Sequence, residues 1–164
     1  MVFEQQKYFE PLGLQELLFL QRKEKKERSI YYIIYALLFA MSLLLPFLGA
    51  WYWDDEHRVT TFSVFKFFFS ATILLFISTF SIYMVYRVYL MPIQKDIASK
   101  SKTIEGFKIR KKAFVTLNKT YHFYIDSFVK LSIEVTEEDF NKYAEGDEVY
   151  IEYSTHSKQY FGYF

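Results

Sequence analysis

The chain has no cysteine among its 164 residues, which excludes disulfides, thiolate metal sites and a cysteine nucleophile. Its five glycines form no phosphate-cradling loop, and its three histidines, His57, His122 and His156, show no ligand spacing and no HExxH pattern. No Ser-His-acid arrangement stands out either. The expectation is therefore a protein that is not an enzyme, with no catalytic residue, no cofactor and no metal. Net charge is nearly absent too, since 20 basic and 19 acidic residues leave +1. That balance looks like an ordinary soluble protein, and it misleads, because the charges are unevenly placed.

Charge is missing altogether from two stretches. Residues 30–53 (IYYIIYALLFAMSLLLPFLGAWYW) and 67–86 (FFFSATILLFISTFSIYMVY) contain none. As helices rising 1.5 Å per residue, either covers the roughly 30 Å hydrocarbon core of a bilayer. The expected architecture is a two-helix transmembrane hairpin. The first span is expected to be retained, not cleaved: 29 residues precede it and it exceeds a signal peptide's apolar region. The tripeptide Leu48, Gly49, Ala50 weakly suggests a cleavage site, but Trp51 and Trp53 suit an interfacial anchor. No acidic residue lies in either span, which argues against an ion or proton pathway. Pro46 near the outer end of span one reads as a tolerated kink. Ser70, Ala71, Ser78, Thr79 and Ser81 permit close helix approach in span two.

Orientation follows from the lysines and arginines. Lys7, Arg22, Lys23, Lys25, Lys26 and Arg28 precede span one, Arg58 alone lies between the spans, and twelve basic residues follow from Arg87 onward. Lys66, at the start of span two, can snorkel to the interface. Both termini are thus expected on the cytoplasmic side. The loop acids Asp54, Asp55 and Glu56 with His57 form one compact set of possible metal ligands, for which a solvated acidic loop is the simpler reading.

The expected divisions are a cytoplasmic tail and amphipathic helix over 1–29, spans at 30–53 and 62–91 joined by a loop at 54–61, a polar linker over 92–103, and a cytoplasmic β domain over 104–164. Two readings of the basic stretch 22–28 stay open, an interfacial helix or a cytoplasmic extension of span one. In the C-terminal part, apolar and polar residues alternate with period two: Phe107 and Ile109; Tyr121, Phe123 and Ile125; Val129, Leu131, Ile133 and Val135; Val149, Ile151 and Tyr153. Thr136 with Glu137, Glu138 and Asp139 behind it predicts an N-capped short helix, Gly146 a turn with positive φ, and residues 159–164 a last strand. This amounts to a small antiparallel barrel of SH3-like or OB-like type with one short helix.

Basic residues cluster in the first strand of this domain, whereas residues 134–152 hold eight acids, so the domain is dipolar. Arg22, Lys23, Lys25, Lys26, Arg28, Arg87, Lys108, Arg110, Lys111 and Lys112 are the expected contacts with anionic headgroups. From residue 101 on, nine basic and ten acidic residues leave nucleic-acid binding disfavoured, although Phe114, Tyr121 and Tyr124 could stack on bases. Tyr150, Tyr160 and Phe161 read as exposed and as a candidate partner surface. The expected partners are the lipid bilayer and either a membrane protein or a second copy of the chain.

The run EGDEVYIEYS at 145–154 and the short aromatic final strand, together with the two spans, resemble small bacterial inner-membrane proteins that pair two spans with a cytoplasmic β domain, the NfeD-like architecture. In such proteins a run of the form GD-x-V-x-I-x-Y recurs as a late barrel strand. The resemblance implies a bacterial inner-membrane architecture associated with membrane scaffolds and transfers no functional residue. The Phe-rich second span, its small residues Ser70, Ala71 and Ser78, and Tyr150, Tyr160 and Phe161 are the ground for expecting a non-catalytic accessory or scaffold protein, with a self-assembling membrane protein or a membrane-tethered ligand or nucleic-acid sensor as the alternatives.

Overall fold

The computed structural model describes residues 7–54 and 59–164. Two compact units form: one combines the residues up to Leu20 with Lys95–Phe164, the other is Gln21–Gln94.

The helical unit holds most of two 36-residue helical stretches, each long and apolar enough to cross a membrane. The first is α1 (Leu14–Gly49), which runs unbroken through both the basic segment and the apolar run, so the stretch 22–28 is an extension of the first long helix. It ends at Gly49, short of the expected position 53. Strands β2 (Trp51–Asp54) and β3 (Val59–Phe62) then form a two-stranded ladder where sequence reading places the helix end and a plain loop. Asp55, Glu56, His57 and Arg58 lie outside the described residues. The second stretch is α2 (Val64–Val85), a π-helical turn at Tyr86–Leu90, and α3 (Met91–Ser99). Ser63 starts α2 as its N-cap, its hydroxyl accepting from the Lys66 N–H at 3.3 Å. The π turn shows in the Met91 N–H, which reaches back five residues to the Tyr86 carbonyl.

Small residues set the approach of α1 and α2. Ser42 and Ala71 are buried, and the Ser42 hydroxyl meets that of Ser78 at 2.8 Å while donating to the Leu38 carbonyl at 2.7 Å. The large side chains point away: Phe65, Phe68, Phe76 and Ile33 are all exposed.

The sheet unit is a curled antiparallel sheet around a single core. Its strands are β1 (Lys7–Pro11), β4 (Ser101–Val115), β5 (Thr120–Ile125), β6 (Ser132–Val135), β7 (Glu148–Ser154) and β8 (Tyr160–Tyr163), ordered β6-β5-β4-β7-β8 with β1 on β4. Strand β4 organises the sheet: β7 takes one edge along 102–108, while β1 pairs along 101–105 and β5 along 109–115, the β5 register shifting at a bulge near Arg110. The short helix α4 (Glu137–Lys142) has the expected cap, with the Asp139 N–H donating to the Thr136 hydroxyl at 3.1 Å. Gly146 has φ of +96°, as the turn requires.

Period-two alternation buries Phe107, Ile109, Phe123, Ile125, Ile133, Val135, Val149, Ile151 and Tyr153 in one core, each contributing about 1.5–3 kcal/mol. One expectation fails: Leu131 is exposed, because β6 begins only at Ser132 and residues 126–131 form a loop. Two more are corrected. Lys7–Pro11, read as tail, is a strand, and the stretch read as a polar linker over 92–103 is nearly the whole of α3 followed by the start of β4.

Candidate functional site

Several of the basic residues read as lipid contacts have partners within the protein. Arg28 pairs with Glu24 one turn earlier. Arg110 lies 2.5 Å from Asp126, an exposed pair worth little on its own. Lys112 donates to the Phe140 carbonyl and, at 2.6 Å, to that of Tyr143, with its ammonium 4.4 Å from the Phe140 ring centre. Lys112 is therefore a strut under α4. Arg22, Lys25, Lys26, Arg87, Lys108 and Lys111 are exposed and Lys23 half-buried.

The three aromatics read as exposed are half-buried. Tyr150 stacks on Phe164 at 5.7 Å, Phe161 meets Phe19 edge-on at 6.3 Å, and Tyr160 packs against the core. The most exposed large apolar side chains of this unit lie elsewhere and include Leu117 on the tip of the β4–β5 hairpin (90% exposed), Leu14, Leu131, Phe128 and Phe9. Sequence reading missed Leu117 and Phe128 because a lone apolar residue in a turn or loop carries no periodic signal, and it took Leu131 for a core position of a strand.

Chemistry concentrates where the turn at 155–157 meets α3. Asp96 is fully buried, and its carboxylate accepts the N–H groups of His156 and Ser157, both at 2.7 Å. Its backbone carbonyl accepts from Lys100, whose φ of 51° ends α3 in the left-handed conformation. Close by, the Tyr153 hydroxyl donates to the buried Glu105 carboxylate. Burial first, and then this bond, push the phenol well above its usual pKa. On β4, Lys102 reaches Glu152 at 2.7 Å and Glu16 at 3.0 Å. Burial alone would lower its pKa, but the two hydrogen-bonded carboxylates outweigh that and raise it. Over the same end of the sheet, the Lys158 ammonium sits 4.9 Å from the Tyr153 ring centre and 5.3 Å from that of Phe128, and Lys130 sits 4.3 Å from that of Tyr160. Burial, aided by Tyr163 and Glu152, pushes the Tyr160 hydroxyl up to about 12.

In the helical unit, a second polar knot joins α1 to the helix beyond the π turn: the Tyr86 hydroxyl donates to Gln94, and the Gln94 amide donates to Glu24, both at 3.0 Å. Among the described residues no three His, Cys, Asp or Glu side chains gather in a geometry suited to a metal ion. His122 is held between the hydroxyls of Thr120 and Ser132 on the outer face of β5.

Compared with family models, curated proteins and solved structures, the chain matches none. The arrangement of side chains therefore carries the functional argument.

Proposed function

We propose that this is a non-catalytic accessory or scaffold protein, anchored in the bacterial inner membrane by α1 and α2, that presents its sheet unit to a partner of a larger membrane complex. One observation carries the reading. The apolar windows of both long helices are only 11% buried within the protein, unlike the mostly buried core helices of a soluble fold. Side chains such as Phe65, Phe76 and Ile33 need an apolar medium outside the chain, and a bilayer supplies it. Basic residues flank the sheet-proximal ends of both apolar runs, which favours cytoplasmic termini. The exposed apolar points Leu117, Phe128 and Leu131 offer anchors to a protein partner.

The test is to extract the tagged full chain from its native membrane in mild detergent and identify what accompanies it by mass spectrometry. A stoichiometric membrane partner supports the reading, and recovery of the chain alone overturns it. Anchoring is tested separately. Because the chain lacks cysteine, single substitutions report topology cleanly. A membrane-impermeant thiol reagent applied to spheroplasts should label His57→Cys and spare His156→Cys, and the opposite pattern refutes the orientation.

A further inference from the structure

Glu27, Ile30, Tyr31 and Ile34 of α1 share one helix face, since they stand at positions i, i+3, i+4 and i+7. With them, Tyr89 and Leu90 of the π-helical turn and Val85 just before it line a cavity of about 200 Å³ within the helical unit. A π turn closes its hydrogen bonds one residue later than an α-helix, and such turns recur at functional sites. The lining is graded along α1. Glu27 lies three residues before the uncharged run that starts at position 30, and Ile34 lies about 10 Å of helix rise beyond Glu27. Besides Glu27, the lining consists of two tyrosine rings and aliphatic side chains. The Tyr31 ring packs against that of Tyr86 at 6.1 Å, whose hydroxyl donates to Gln94 and is thereby joined to Glu24. The two carboxylates here differ. Glu24 is buried and bonded to Arg28 and Gln94. Glu27 is half-buried and, among the described residues, enters no ion pair. Ile30, Ile34 and Tyr89 are exposed, so the cavity opens to whatever surrounds the helices.

We propose that this cavity binds the primary ammonium headgroup of an aminophospholipid. One carboxylate beside two tyrosine rings suits a cation and repels an anionic headgroup. A primary ammonium brings N–H donors for the Glu27 carboxylate, which a quaternary ammonium lacks. A divalent metal ion would need several oxygen ligands where this cavity offers one carboxylate. The volume is below that of a drug-sized pocket, so it takes the headgroup and the first carbons and leaves the acyl chains outside. The lipid phosphate then stays at the opening, at the level where exposed Lys26 and Arg28 adjoin Glu27 in the chain. The site rests on the membrane anchoring proposed above, because anchoring is what brings lipid to the opening, and it does not depend on the accessory role.

The experiment places the full chain in phosphatidylcholine bilayers that hold equal minor shares of phosphatidylethanolamine and phosphatidylglycerol. Resistance to an alkaline wash reports anchoring, and native mass spectrometry of chain released from nanodiscs of the same composition reports which lipid stays bound. Phosphatidylethanolamine should be retained about tenfold over phosphatidylglycerol, the scale of one hydrogen bond to a charged group. In Glu27→Gln, which keeps the side-chain shape and removes the charge, that preference should vanish. If the variant fails to insert, the parent chain decides with a headgroup series: retention should fall when phosphatidylethanolamine is replaced by its N,N-dimethyl form. A chain stripped from the bilayer by alkali overturns the anchoring and this site with it. An anchored chain that retains both minor lipids equally, a preference unchanged in Glu27→Gln, or retention indifferent to methylation overturns the site alone.

Discussion

The helical unit and the sheet unit bury opposite ends of the size scale. Between α1 and α2 the buried residues include Ser42 and Ala71, while Phe76 is 73% exposed. Inside the sheet unit the buried residues include Tyr153, Phe123 and Ile133, and apart from hydrogen-bonded Asp96 and Glu105 the charged side chains stay at least partly exposed. A water-facing core gains by removing its largest apolar side chains from solvent. Helices meeting in an apolar medium have no such gain and instead approach through small residues and hydroxyl hydrogen bonds. On the membrane anchoring proposed above, one chain obeys two packing rules, and the division between the units falls along α1 and α3, whose residues belong partly to each unit. A single mean over the whole composition hides this.

Substitutions can break or sharpen the contrast. The largest difference should come from a matched pair: Phe123→Ala empties the sheet core and should cost about 3–5 kcal/mol in denaturant unfolding followed by near-UV dichroism, whereas Phe76→Ala in the same detergent should leave that transition unmoved. A loss of comparable size at Phe76 would mean that this helix face is covered by protein.

Next comes Asp96→Asn, which keeps the shape but leaves an amide opposing one of the two N–H donors. About 2–3 kcal/mol of sheet-unit stability should go, and hydrogen exchange at His156 and Ser157 should quicken before exchange at Ile133 does. Thr136→Ala removes the cap of α4 and should cost about 1 kcal/mol on the same unfolding curve.

Acid should act on the sheet unit in a defined direction. Hydrogen bonds from Thr136 and Tyr163 lower the pKa of Asp139, so its contribution is present above the unfolded carboxylate value of about 4 and is lost as pH falls through the lower folded value. Asp139→Asn should flatten that part of the pH–stability profile, and a profile unchanged by the substitution would remove Asp139 as its source. The smallest effect is expected between the helices. Ser42→Ala with Ser78→Ala should cost only about 0.6 kcal/mol, read as increased sensitivity to a harsher detergent.

How much of this could be read from sequence differs between the same two units. The helical stretches were legible because absence of charge over twenty residues is a strong, local signal; their ends were not, since Trp51 and Tyr52 are as apolar as what precedes them yet pair with Phe62 and Thr61. The strands that alternate cleanly, 121–125 and 149–153, fell where expected, as did the Thr136 cap. Strand β1 escaped because five residues, all exposed, carry no alternation of burial, and what makes them a strand is a partner far along the chain. Helix α3 looked like a linker because its buried Asp96 reads as polar surface until the donors at residues 156 and 157 are known.

The pairing of Lys7–Pro11 with β4 has a further consequence for biosynthesis. The first strand leaves the ribosome before either long helix exists, and its partner emerges only after both have been made. At ordinary elongation rates that interval is on the order of ten seconds, during which an aromatic-bearing segment waits unpaired while the hydrophobic helices beside it are delivered to their destination. The sheet therefore closes only after both long helices have been made, and a nascent chain stalled before residue 101 would hold the residues of both helices and a strand with nothing to join.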